Sequence, residues 1–140
     1  MESSTIRIAT SSDFHAIRKV VHEVWPIAYR EMITPEQISY MLEWMYSDES
    51  LHKQVTEEGC VFLVYKEDNI VQGFASFSEI EKSVFKLHKL YVYTSLHGKG
   101  IGRALLDEVK KRAVDRCGKA IELQVNKKNV AQHFYLKQGF

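Results

Sequence analysis

The chain has 140 residues, 45% of them apolar, which suits one compact domain with a real core. Its 19 lysines and arginines face 18 acidic residues for a net charge of +1, so no global field marks it as a binder of nucleic acid or of a membrane surface, and any anionic ligand must be held locally. Cys60 and Cys117 match neither zinc nor Cys-x-x-Cys spacing, no apolar run approaches the roughly 18 residues of a membrane span, and the start Met-Glu-Ser-Ser lacks a signal-peptide layout; the expectation is a soluble, reduced, cytoplasmic protein.

Ile6 and Ile8 alternate with polar neighbours as a short strand does, and Ser12-Asp13 offers a capping oxygen before the helical spacing of Phe14, Ile17, Val20, Val21 and Val24. Trp25-Pro26 is expected to end that helix, because proline disfavours the α conformation in the residue before it. Thr34-Pro35-Glu36-Gln37 predicts a second helix to about Tyr46, with threonine as cap, proline in the first turn and glutamine closing a capping box. Ser50 to Glu58 reads as a further short helix stopped by Gly59.

The period then changes to that of strands. Residues 60–65 and 70–77 flank Glu67-Asp68-Asn69, which reads as a hairpin, and a third strand is expected over about Val84 to Tyr93. Ile101, Ala104, Leu105, Val109 and Ala113 recur at helical spacing with Gly118 as a stop; Ile121, Leu123 and Val125 alternate as a strand; Val130 to Gln138 is short and helical, closed by Gly139. With the short Ser50 to Glu58 helix left out, the order is β-α-α-β-β-β-α-β-α, a single mixed α/β (α+β) domain over residues 1–140 with a largely antiparallel sheet and no repeat or linker.

Leu96-His97-Gly98-Lys99-Gly100-Ile101-Gly102-Arg103 falls between a predicted strand and a predicted helix. The first N–H groups of a helix have no intrahelical partner and lie at the positive end of its dipole, so they suit a pyrophosphate, and glycines let its oxygens approach the backbone. Lys99 and Arg103 can add charge-assisted contacts. The run fits neither a Walker loop nor a dinucleotide fingerprint, whose sixth position is here Arg103. The glycines alone leave a simple tight turn equally open.

Leu90-Tyr91-Val92 followed by His97-Gly98-Lys99-Gly100-Ile101-Gly102-Arg103-Ala104-Leu105-Leu106 resembles the coenzyme A-binding motif of the GNAT superfamily of N-acetyltransferases. Val125 through Asn129 to Phe134-Tyr135-Leu136-Lys137-Gln138-Gly139-Phe140 resembles that family's closing motif. The resemblance implies a GNAT-like sheet flanked by helices, acetyl-coenzyme A as co-substrate, an amine acceptor and no metal. It also implies at least one more strand after Gly139-Phe140, so the chain is expected to be a truncated piece or a short form whose uncovered sheet edge makes a homodimer plausible.

The resemblance further assigns roles. Backbone groups of Leu90, Tyr91 and Val92 pair with the pantetheine arm. Backbone N–H groups from His97 and Gly98 through Lys99, Gly100, Ile101 and Gly102 to Arg103 take the pyrophosphate, with His97 standing where the family usually has glutamine or arginine. Asn129 steadies the pantetheine, or caps the last helix with Gln132, and Tyr135 protonates the departing thiolate; as a phenol it has suitable chemistry. Glu79, with Glu81 and His88 as alternatives, is the expected general base.

The acceptor is expected against the N-terminal helices, where Trp25 and Tyr29 are the candidate pocket residues and Glu23, Glu31 and Glu43 could attract a cationic amine. His15, His22, His52 and His133 show no metal-ligand spacing. Besides an N-acetyltransferase, the sequence leaves open a catalytically weak or inactive coenzyme A-binding sensor or interaction module, and an unrelated phosphate-binding enzyme using the same turn.

Overall fold

A computed structural model describes residues 4–124 and 131–140. Strand β1 (Ser4–Ile8) is followed by a helical turn and by α1 (Phe14–Ala28), α2 (Pro35–Tyr46) and α3 (Asp48–Thr56). Three consecutive strands, β2 (Val61–Glu67), β3 (Ile70–Glu81) and β4 (Val84–Val92), lead to α4 (Ile101–Asp115), β5 (Ala120–Glu122) and α5 (Ala131–Lys137). The sheet runs in the order β1-β2-β3-β4-β5, antiparallel except for the parallel pair β4/β5. The expected mixed, largely antiparallel fold is what the chain forms.

Local chemistry explains most boundaries. Asp13 accepts from the Thr10 N–H at 2.8 Å and from both terminal nitrogens of Arg7, which ties β1 to the entry of α1. The Arg7 bonds hold the Asp13 carboxyl below the usual carboxylate range, against the opposing effect of burial. At α2 the anticipated capping box is present, with the Gln37 N–H donating to Thr34 Oγ1 at 3.2 Å and the Thr34 N–H donating to Gln37 Oε1 at 3.0 Å. The β2–β3 turn places Asp68 and Asn69 at φ 51° and 66°, the left-handed pair that a two-residue hairpin requires.

Several boundaries differ from expectation: α3 spans Asp48–Thr56 rather than Ser50 to Glu58, β3 runs on to Glu81, and β5 ends at Glu122, short of Leu123. Pro26 does not end α1 but sits inside its last turn. Pro26 and His22 are exposed, so water can satisfy the carbonyl that proline leaves without a donor, and the Tyr29 N–H still bonds the Trp25 carbonyl at 3.0 Å. The Trp25 ring, held edge-on to Tyr29 at 5.0 Å and to Tyr46 at 6.3 Å, keeps the turn in place. At the end of α4 the left-handed residue is Cys117 (φ 62°), not Gly118; the Gly118 N–H bonds the Ala113 carbonyl at 2.7 Å and the Cys117 N–H bonds that of Val114 at 2.9 Å, a Schellman cap. Gly118 is needed for space, because a Cβ there would lie 2.8 Å from the Phe85 ring.

Strand alternation divides the core in two. Phe62, Val64 and Phe74 face α1, α2 and α3, meeting Ile17, Val21, Trp25, Leu42, Tyr46 and Leu51. Leu63, Ala75, Phe77, Phe85 and Leu87 face α4, meeting Leu105, Leu106, Val109 and Ala113. Tyr91 belongs to the first face, whereas Leu90 and Val92 belong to the second.

Candidate active site

The site begins where the sheet opens. β5 pairs with β4 only from Val84↔Ala120 to Lys86↔Glu122, so among the described residues the edge of β4 from Leu87 to Val92 has no strand beside it. On the other side, the Tyr93 N–H donates to the Gln72 carbonyl at 3.2 Å. Peptide groups alternate along an antiparallel ladder, so Leu90 and Val92 turn theirs to the open edge. The Val92 carbonyl is already taken there by His97 Nε2 at 2.9 Å, which fixes the ring with that nitrogen protonated. The Leu90 peptide group and the Val92 N–H are left for an added extended chain.

Beyond β4 comes a helical turn, Thr94–Leu96, and then the glycine segment. Glu23 on α1 accepts from the Thr94 hydroxyl and from the Thr94 N–H at 3.2 Å, anchoring this turn to the helix layer. Gly98 and Gly100 have φ of 85° and 84°, and a Cβ at either would meet nothing within 4 Å. The backbone therefore adopts a conformation that favours glycine around a space that side chains would fill, a cradle fit for phosphate oxygens. The first helical bond of α4 runs from the Ala104 N–H to the Gly100 carbonyl at 3.0 Å, so the N–H groups of Ile101, Gly102 and Arg103 have no helical acceptor, and Gly100 has no side chain to cap them.

The open edge and the glycine turn share one cavity of about 440 Å³. Its walls come from Val24 and Ala28 on α1 and Tyr29 at its C-cap, from Leu90, Tyr91 and Val92, from the segment between Leu96 and Arg103, and from Phe134 and Tyr135 on α5. The continuation of α1 past Pro26 to Ala28, with Tyr29 as its C-cap, is what brings these two residues to it. Three phenols line this largely apolar space. Tyr29 and Tyr91 share a hydrogen bond at 3.0 Å, and burial pushes the Tyr91 phenol far above its ordinary range. Burial, with Tyr29 nearby, pushes Tyr135 up to about 12. All the same, a protonated phenol that can donate is what such a site keeps at neutral pH.

Of the residues expected at the site, the cavity brings together Leu90, Tyr91, Val92, His97, Gly98, Gly100, Ile101, Gly102, Arg103, Tyr29 and Tyr135. Lys99 is exposed and is not on the wall. Arg103 is also mostly exposed, 3.9 Å from Asp107 one turn on. Trp25 is only 5% exposed and packs in the aromatic core rather than on the wall. Glu79 is not on the wall either: it accepts the Ser83 N–H at 3.0 Å and faces Arg116 at 3.7 Å, at the β3–β4 turn. His88 bonds Ser78 Oγ at 2.7 Å, its basicity lowered by burial and by Lys89 and Lys86. Asn129, with Val125, lies outside the described residues.

Three features were not anticipated: the Tyr29–Tyr91 hydroxyl pair, the Glu23 anchor of Thr94, and Phe134, whose ring would lie 3.5 Å from a Cβ on Gly102. Alternation in Leu90-Tyr91-Val92 does send the tyrosine to the opposite face, but its partner is 62 residues away and no local pattern names it. Replacing Glu23 by alanine removes a charged acceptor from a turn that holds the glycine segment. Such bonds contribute about 1.5–3 kcal/mol, so a loss of about tenfold or more in affinity for the coenzyme A that the sequence resemblance implies is expected by calorimetry, with the melting temperature lowered by about 5–10 °C.

Comparison with known proteins converges on one family. A family model for an acetyltransferase (GNAT) domain matches residues 29–140. The PaiA N-acetyltransferase from Thermoplasma acidophilum, solved in complex with coenzyme A, superposes with a TM-score of 0.91 over 99% of this chain and 89% of that one, at 27% identity. A GCN5-related N-acetyltransferase from Rhodopseudomonas palustris shares the fold at a TM-score of 0.78, with 18% identity over 98% of this chain and 81% of that one. So does the ribosomal-protein-alanine N-acetyltransferase from Brucella melitensis biovar Abortus 2308, at 0.68, with 17% identity over 98% and 90%. With that family model covering most of its length, and an opened sheet edge meeting a glycine turn on one cavity, the chain belongs to the GNAT acetyltransferases and is an acyltransferase.

Proposed function

We propose that the chain binds acetyl-coenzyme A along the open β4 edge and the glycine turn, and transfers its acetyl group to a primary amine by direct attack, with no covalent enzyme intermediate. The observation that carries this reading is the convergence on one cavity, among the described residues, of a strand edge without a neighbouring strand, helix amides without helical acceptors, and a half-buried, protonated phenol. Acetyl-coenzyme A supplies a thioester whose acyl carbon is already activated, so positioning accounts for much of the rate.

The amides of Ile101, Gly102 and Arg103 hold the pyrophosphate, and Gly98 and Gly100 make room for it. The Leu90 peptide group and the Val92 N–H pair with the pantetheine arm and polarise the thioester carbonyl. Tyr135 donates its proton to the departing sulfur as the carbon–sulfur bond breaks and the carbon–nitrogen bond forms. The acceptor enters beside Tyr29 and Tyr91. No carboxylate is among the described residues of the cavity wall, so the amine gives up its proton to water at the mouth rather than to Glu79.

An assay of thiol release from acetyl-coenzyme A across a panel of primary amines tests this. Release that depends on the amine, with one N-acetyl product per thiol, is expected. Binding of coenzyme A without product from any amine would leave a binding module in place of an enzyme, and absence of binding would remove the site itself.

A further inference from the structure

We infer that the outer face of α2 docks a basic protein segment, independently of the acyl-transfer site. Residues 31–51 contain five carboxylates, Glu31, Glu36, Glu43, Asp48 and Glu49, and no lysine, arginine or histidine, while the rest of the chain carries all 19 lysines and arginines against 13 acidic residues. A protein whose net charge is +1 thus concentrates acidic side chains on one helix and its flanks, of which Asp48 pairs with Arg18 at 2.6 Å.

Helical spacing turns that stretch into a surface. Ile38, Leu42 and Tyr46 are buried and hold α2 to the core. Glu36, Tyr40, Glu43 and Trp44 fall on the opposite side at i, i+4, i+7 and i+8, and all four are exposed. Tyr40 is 71% and Trp44 70% exposed, side by side one turn apart. Two large aromatic rings left in water need a reason beyond folding, because the buried stripe already secures the helix.

Charge chooses among occupants. A second copy docking the same face would set Glu36 and Glu43 against their own equivalents, which opposes a two-fold contact. A lysine- or arginine-bearing segment instead meets two carboxylates at its charge and two ring faces for its ammonium or guanidinium groups, the ring contact adding attraction that plain acidic patches lack.

The chain reports on this face by itself. Its two tryptophans are Trp25, 5% exposed in the core, and Trp44, so acrylamide quenching follows Trp44 almost alone. A short peptide of alternating lysine and serine is expected to blue-shift Trp44 emission and protect it from acrylamide, with affinity falling steeply as salt rises. The same peptide with glutamate for lysine should do neither. By calorimetry, the double variant Tyr40→Ser/Trp44→Ser and the double variant Glu36→Gln/Glu43→Gln should each lose about tenfold in affinity for the lysine peptide. The carboxamide pair should also flatten the salt dependence. Because the four side chains are exposed and none of them, Glu43 included, lies on the wall of the acyl-transfer cavity, melting temperatures and acetyl-coenzyme A turnover should match those of the parent chain.

Equal protection by both peptides, or none by either, overturns the inference. So does Trp44 that is already protected in a dimer whose population rises with protein concentration in sedimentation, since a second copy would then be the occupant.

Discussion

Tyr135→Phe is expected to lower kcat by about two orders of magnitude while coenzyme A affinity stays within about twofold, because the phenol acts on the leaving sulfur and not on the bound ground state. The ring stays packed: Tyr135 lies edge-on to Phe134 at 5.3 Å and to Phe140 at 6.1 Å, contacts that phenylalanine keeps. The pH profile supplies a second readout. Burial raises the Tyr135 phenol from 10.0 to about 12, so its proton remains available as pH climbs through the ordinary phenol range. For the parent chain, kcat should rise as the amine deprotonates and show no decline near pH 10.0; a decline there would mean that another group supplies the proton.

The largest loss of binding is expected from Gly100→Val. At φ 84° a β-branched residue is strained, by about 1–2 kcal/mol, which a domain of ordinary stability of about 5–15 kcal/mol survives. Its side chain would fill the space in front of the amides that open α4. Losing two or more charge-assisted bonds to a pyrophosphate should weaken coenzyme A by at least about a hundredfold in calorimetry. Gly59→Val is the matching control, with φ 70°, similar strain and open space, at the end of α3 away from the cavity. It should share the stability cost and keep coenzyme A binding, so equal losses in the two variants would show that strain alone explains the effect.

The two variants probe parts of the site that differ in how readable they were. The glycine segment was legible because its chemistry is local: a left-handed glycine, a helix start and a preceding strand all fall within a dozen residues of sequence. The α2 capping box and the Asp68-Asn69 turn were legible for the same reason, since each is closed by bonds between residues no more than a few positions apart. Trp25 is expected from the sequence in the acceptor pocket, and Glu79 as the general base. Each depended on what lay opposite in space. The Trp25 ring meets Tyr46 and Tyr91, and the Glu79 carboxylate meets its own turn and Arg116, so both are committed away from the cavity.

By itself the sequence determined the order of strands and helices, the family resemblance, and the turn where helix amides go without partners, because periodicity, caps and glycine conformations act over one or two turns of chain. Only the tertiary structure decided the course of α1 beyond Pro26, the early parting of β5 from β4, the Tyr29–Tyr91 pair and the Glu23 hold on Thr94. Those features join residues as many as 71 positions apart, and their free energy exists only once the sheet and its helix layers have packed.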